Sequence, residues 1–448
     1  MASFAFAAPP ASKDPTAMIR DAALKDDTAW DITEGLTTEV GPRPAGTERE
    51  AAARAWSVDR LKALGFANVR IEPYDMPVWE RGEERAEITA PFPQRLVLTA
   101  LGNSGATPAE GLEAEVVRFD TLEALKAATP AQVRGKIVFV SHRMTATQDG
   151  SSYGAFGGAR RQGPSIASAK GAAAIVIRSI GTDMHRNPHT GVQTFDPGVT
   201  PIPAAALSLP DAEQIERIFA RGKPVRMKLV LTPRQIGNRQ SGNVIAEVPG
   251  RTKDIVLVGC HLDSWDMGTG AIDDASGCGI VAAAAKLVKD SGRRPQRTIR
   301  VVWFGAEEVG LFGGKAYLEA HRADRHVVLA ESDFGADRIW KMSSKVSEAA
   351  LPVVAKLATA LEPLGIARGN NLASGGSDIG PLAATGVPVI AFSQDGTRYF
   401  DYHHTPDDTL DKVDPEQLRQ NVAAYAVMLS ELAFDRTPLG PVPPTPAN

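Results

Sequence analysis

Residues 255–308 read IVLVGCHLDSWDMGTGAIDDASGCGIVAAAAKLVKDSGRRPQRTIRVVWFGAEE. Two largely apolar runs, IVLVGC and IRVVWF, bracket a helical stretch at residues 279–289. Apolar runs this short suit strands buried on both faces, and strands alternating with helices build a largely parallel sheet covered on both sides. NVIAEVPG (243–250) and VVLAESDFG (327–335) extend the alternation, with helical segments at 313–320 and 348–361. Further out, residues 51–64 have apolar positions at helical spacing, and the strand-like NVRIEPYDMPV follows at 68–78. The expected fold is α/β, a mostly parallel mixed sheet flanked by helices.

Ligands of open α/β sheets sit beyond the carboxyl ends of the strands, so the polar residues after each apolar run are the first candidates for chemistry. IVLVGC leads into His261 and Asp263, VVWFGA into Glu307 and Glu308, VVLAES into Asp333, and VPVIAFS, after a loop, into His403, His404 and Asp408. A further pair, Asp273 and Asp274, sits in a Gly-rich loop just before the helix. Imidazole and carboxylate are what hydrolytic zinc takes when thiolate is absent. One imidazole and one terminal carboxylate per metal, joined by a bridging carboxylate, hold two ions about 3.5–4 Å apart. Taken singly, each residue has a plainer role as N-cap, turn former or core histidine. Adjacent glutamates ending an apolar strand do not, because buried carboxylates are costly unless a cation joins them.

The segments HLDSWDMGTGAIDDASG (261–277), FGAEEVGLFGG (304–314), ESDFG (331–335) and HHTPDDT (403–409) resemble the co-catalytic zinc aminopeptidase family and, within it, the carboxypeptidase Q branch. VGPRPAGT, VWERGEE, RGKIVFVSH, NPHTGVQ and GGSDIGPL carry the likeness through most of the chain. The resemblance implies a zinc exopeptidase fold, a homodimer, and two Zn2+ per chain that Co2+ or Mn2+ can replace. It implies His261 and Asp333 on one zinc, Glu308 and His404 on the other, and Asp273 bridging them, with a cis peptide after it. Glu307 then stands as general base, taking a proton from water shared by the metals before attack on the scissile carbonyl. Asp263 is expected to orient His261 through its carboxylate, and Asp408 to do the same for His404. His403 either polarises the carbonyl or is structural.

The branch acts on dipeptides, which makes a peptide with free termini the expected substrate; aminopeptidase action on longer peptides is the alternative. An α-ammonium calls for a carboxylate and an α-carboxylate for Arg or Lys. Asp378, its neighbour Ser377 and Asp274 are candidates for the first task, and Arg398, Arg160 and Arg161 for the second. A non-catalytic relative of this fold would show a replaced ligand or base, and none is replaced here.

At 448 residues the chain exceeds what one core usually supports. Residues 1–15 are either the remnant of a signal peptide or a disordered tail, and the first reading places the protein outside the cell or in a periplasm. Residues 16–110 open the peptidase domain. Residues 111–231 form an insertion of short β-type runs broken by a Gly- and Ser-rich stretch at 145–165, resembling a β-rich protease-associated domain. The peptidase domain resumes over 232–435, and a Pro-rich, unstructured tail follows at 436–448. His185 and His189 are loop residues, since Pro188 breaks any helix between them, and His189 is within reach of the cleft. A net charge of −4 carries no basic excess for nucleic acid. The most apolar stretch, residues 281–288, is far below the roughly 20 residues of a membrane span. Cys260 and Cys278, the only cysteines, are either a disulfide or two buried thiols.

Overall fold

The computed structural model describes residues 14–444. The segment that opened the sequence reading folds as strand Ile255–His261, helix Ser276–Asp290 and strand Thr298–Phe304. The two strands pair in parallel, with His261 opposite Phe304. They lie in an eight-stranded sheet ordered Ala67–Glu80, Arg234–Val248, Thr298–Phe304, Ile255–His261, His326–Glu331, Val389–Gln394, Ile339–Lys345, Ala367–Arg368. Four of its seven pairings are parallel, and these include the central ones. Four neighbouring strands therefore end on the same side, which is where the candidate ligands follow them.

Helix Ser276–Asp290 is buried along nearly its whole length. Its alanine run at 282–285 lets two other helices approach closely, Thr28–Gly35 and Pro415–Phe434. Pro415–Phe434 is not among the helices anticipated above. It starts at a Pro in the first turn, with the Asp414 carboxylate accepting from the N–H groups of Glu416 and Gln417. Cys260 and Cys278 are joined as a disulfide, Cα to Cα 5.2 Å, tying the end of one strand to the start of the buried helix.

A second eight-stranded sheet is ordered Gln94–Leu96, Glu84–Ala90, Arg226–Leu231, Leu112–Phe119, Ile137–Val140, Ala174–Arg178, Ala204–Leu207, Leu98–Ala100. Its first and last strands are separated in sequence only by Val97, so the sheet curls back on itself. This unit differs from the expectation in two respects. It takes in Glu84–Ala100, which lies before residue 111, because sheet membership is decided by partners distant in sequence. It is also less exclusively β, since the Gly- and Ser-rich stretch forms helices Ser151–Phe156, Gly158–Arg161 and Gly163–Ala169. Residues 436–444 of the expected unstructured tail form no helix or strand, but Leu439 and Val442 are buried and the N–H of Val442 donates to the carbonyl of Gly386, which anchors the segment at two side chains. Residues 1–13 and 445–448 lie outside the described residues.

Candidate metal centre

His261 ends its strand, and its Nε2 lies 3.0 Å from Asp273 Oδ1 and 3.2 Å from Asp333 Oδ1. His404 Nε2 lies 2.8 Å from Glu308 Oε2 and 3.1 Å from Asp273 Oδ2. The Asp273 carboxylate thus presents one oxygen to each imidazole. The Asp273–Asp274 peptide is cis, as the resemblance implies. All five expected ligands meet at the strand ends, brought from five separate segments of the chain.

Their chemistry fits a divalent metal. One imidazole nitrogen carries at most one proton, yet each Nε2 faces two carboxylate oxygens, an arrangement that a cation between them satisfies. Asp273 Oδ2 and Glu308 Oε1 are buried without hydrogen-bond partners. Burial pushes the Glu308 carboxyl up to about 7, with the Asp273 charge adding to the rise. Burial likewise raises Glu307 well above the usual carboxylate range, helped by the charge of Asp333. Crowded carboxyls of this kind regain their ordinary acidity when a metal supplies positive charge. Nitrogen and oxygen donors with no thiolate are a set that zinc takes.

The supporting contacts differ from those expected. Asp263 meets His261 through its backbone carbonyl, 2.9 Å from Nδ1, while its carboxylate oxygen is 3.7 Å away. That carboxylate accepts instead from the N–H groups of Glu307 and Glu308, at 3.1 and 3.3 Å, and so fixes the turn carrying both glutamates. Asp408 does not touch His404; it accepts from the N–H groups of Ala271 and Ile272 at 2.7 and 2.8 Å, pinning the loop before Asp273. His404 Nδ1 instead lies 3.3 Å from the carbonyl of Thr190, which belongs to the second unit. Either kind of oxygen fixes an imidazole tautomer. Sequence names the carboxylates but does not say where a carbonyl points.

Of the other candidates, Asp274 is spent on backbone: it accepts from His261 N–H at 3.2 Å and Gly277 N–H at 3.0 Å. Asp378 is only 1% exposed with both oxygens unpartnered, and burial, then the charges of Glu331 and Glu307, raises it well above the usual range. Ser377 lines a cavity of about 460 Å³ beside Asp333, together with Asp149, Glu331 and Phe334. Arg398 is committed to Asp337, donating from Nε and Nη2 at 2.7 Å each. His403 stacks on His404 with ring centroids 3.5 Å apart, and its Nε2 is 3.4 Å from Asp273 Oδ2. Burial, then the His404 charge, lowers it well below the usual histidine value.

Four further residues shape the site, of which Trp265 and Arg43 were not singled out in the sequence. Trp265 Nε1 donates to Glu308 Oε2 at 2.7 Å. Arg43, fully buried, donates to the carbonyls of Thr269 and Gly270 at 2.7 and 2.9 Å and holds the loop that carries Asp273. His189 is buried, with its ring 4.9 Å from His403 and 4.8 Å from His404. Arg160 Nη1 lies 3.1 Å from His189 Nε2. Arg43, Trp265 and His189 fall inside the quoted segments VGPRPAGT, HLDSWDMGTG and NPHTGVQ, which was the available signal. His185, by contrast, points to the carbonyl of Asp401.

The profile of Peptidase family M28 matches residues 243–429. The chain is 34% identical to carboxypeptidase Q of Bos taurus over 397 residues, 88% of this chain and 82% of that protein. It is 49% identical to the crystal structure of a peptidase M28 precursor from Shewanella amazonensis, with a TM-score of 0.94, covering 96% of this chain and 98% of that one. A zinc aminopeptidase from Bacillus subtilis shares the fold at 21% identity and a TM-score of 0.63, covering 90% of this chain and 94% of that one. No helix among the described residues is long and apolar enough to cross a membrane.

Proposed function

The chain belongs to peptidase family M28 and is a metallopeptidase, and we propose from that premise a di-zinc exopeptidase that hydrolyses dipeptides or short peptides with free termini. The carrying observation is the Asp273 carboxylate, with one oxygen turned to His261 and the other to His404. In this reading His261 and Asp333 hold one ion, Glu308 and His404 the other, and Asp273 both. Zinc, when bound, supplies Lewis acidity toward a carbonyl oxygen and makes water easier to deprotonate. Glu307 takes the proton from the attacking water and returns it to the departing amine. His403 offers an N–H to the carbonyl oxygen. The amino end of the substrate enters the cavity beside Asp333, whose lining includes Asp149 and Glu331 and, among the described residues, neither Lys nor Arg. The Cys260–Cys278 disulfide supports a secreted or periplasmic location, since such bonds persist in oxidising compartments.

The test is metal analysis of the purified protein together with a product-identified digest of dipeptides and longer peptides, with free or blocked ends. Close to two zinc ions per chain, loss of activity to a chelator, and cleavage that needs a free amino end are expected. One tightly held ion in fully active protein, or cleavage inside peptides blocked at both ends, overturns the reading.

A further inference from the structure

Two guanidiniums stand next to the metal centre without a carboxylate between them. Arg160 is buried, and its Nη1 lies 3.1 Å from His189 Nε2, 3.2 Å from the Thr190 carbonyl and 3.3 Å from His404 Nδ1. Its Nε is buried with no partner. Arg161, half-buried, donates to the carbonyl of Gly154 at 3.2 Å, and burial, then the charge of Arg160, lowers its pKa. Both guanidiniums lie within 6 Å of the Tyr153 ring, which is itself 5.5 Å from the ring of His403. Among the described residues neither makes an ion pair, whereas Arg398 and Arg81 are each bound to an aspartate. Gly191 has φ +135°, and a Cβ there would fall 1.8 Å from Arg160 Nη1, so the chain leaves room for this cation at that spot. Like charges kept adjacent and partly dehydrated are a cost that an arriving anion removes.

We propose that Arg161, with Arg160 behind it, binds the free α-carboxylate of the residue that leaves when a dipeptide is cleaved. The proposal rests on the exopeptidase reading above and adds to it the group that measures substrate length. Both guanidiniums lie against Tyr153, whose ring is 5.5 Å from that of His403 beside Asp273, so the pair stands one side chain away from the proposed ligands. In this reading, one residue beyond the scissile bond brings its carboxylate to the pair, while a longer peptide carries its carboxylate past it. The experiment compares a dipeptide with the same dipeptide as its C-terminal amide, for the wild type, Arg161→Gln and Arg161→Lys, with metal content measured for each. The wild type should favour the acid, and Arg161→Gln should raise KM for the acid roughly 10- to 100-fold, the range of a charge-assisted hydrogen bond. Amide hydrolysis, kcat and metal content should stay unchanged, and Arg161→Lys should recover part of the loss. Equal response of acid and amide to Arg161→Gln overturns the carboxylate site. Failure of the wild type to cleave any dipeptide overturns the substrate-length reading instead, and that shows in the wild-type measurements alone.

Discussion

Glu307 and Glu308 share a side chain and a turn, and the proposed function gives them different work in different surroundings. Glu308 is fastened on one oxygen by the indole of Trp265 and faces His404, while its other oxygen is buried and unpartnered. Glu307 is held through its backbone, its N–H donating to Asp263 and its carbonyl accepting from Gly310 and Leu311, and its carboxyl is half-buried and raised by burial. Glu307→Gln removes the proton acceptor and keeps the shape. Metal content should survive while turnover falls about 10²- to 10⁴-fold, the span credited to general acid–base catalysis. Glu308→Gln replaces an anionic ligand by a neutral amide and should lower metal occupancy along with activity, with partial rescue by added zinc. Metal analysis beside kinetics on both variants decides the matter, and equal metal loss from the two would reverse the assignment.

Between elements, polar staples hold what apolar packing leaves loose. Helix Phe312–His321 ends on His321, whose Nε2 is 2.8 Å from Glu72 in the edge strand Ala67–Glu80 and whose Nδ1 is 2.9 Å from Asp324. The hydrogen bond to Glu72, against some burial, holds the pKa of His321 above the ordinary 6.5. A histidine raised in the folded state binds its proton more tightly there than in the unfolded chain. The stabilisation is therefore complete below the ordinary pKa and fades as pH rises through the folded value. His321→Gln should cost roughly 1–3 kcal/mol at pH 5.5, the range for hydrogen bonds to charged groups, and much less at pH 9. Denaturant midpoints of wild type and variant at the two pH values measure this, and a gap that widens with pH would contradict it.

The two units share the metal centre. Arg81, in the quoted VWERGEE, donates to Asp266 of the metal unit at 2.7 and 3.0 Å. It also reaches Glu84, the carbonyl of Ala100 and the hydroxyl of Thr190 in the second unit. The Thr190 carbonyl in turn meets His404 Nδ1. Arg81→Met removes the bidentate partner of Asp266 and one partner of Glu84, which keeps the N–H of Ala100, so it should cost about 1.5–3 kcal/mol, the range for hydrogen bonds to charged groups. It should also release zinc more readily, because Thr190 no longer fixes the His404 tautomer. Thermal unfolding and metal retention during dialysis read the two effects separately, and unchanged retention in a destabilised variant would remove Thr190 from the metal site.

The α/β character of the metal unit was legible in the alternation of IVLVGC, the buried helix and IRVVWF. Strand length and apolar continuity are local properties that a sequence carries on its face. The convergence of the five proposed ligands was legible because four lie beyond strand ends that parallel neighbours put on one side, and Asp273 lies in the loop before the buried helix. Four matters depended on which distant segments touch. The extra strands of the second sheet came from residues 84–100, and a helix near the C-terminus packed against the alanine run. The Thr190 carbonyl replaced Asp408 as the partner of His404. Arg398, a carboxylate-binding candidate by sequence, is paired with Asp337, while Arg160 and Arg161 make no ion pair among the described residues. A side chain's chemistry is written in its residue type, but its partner is set by the path of the whole chain, and that path only the tertiary structure decided.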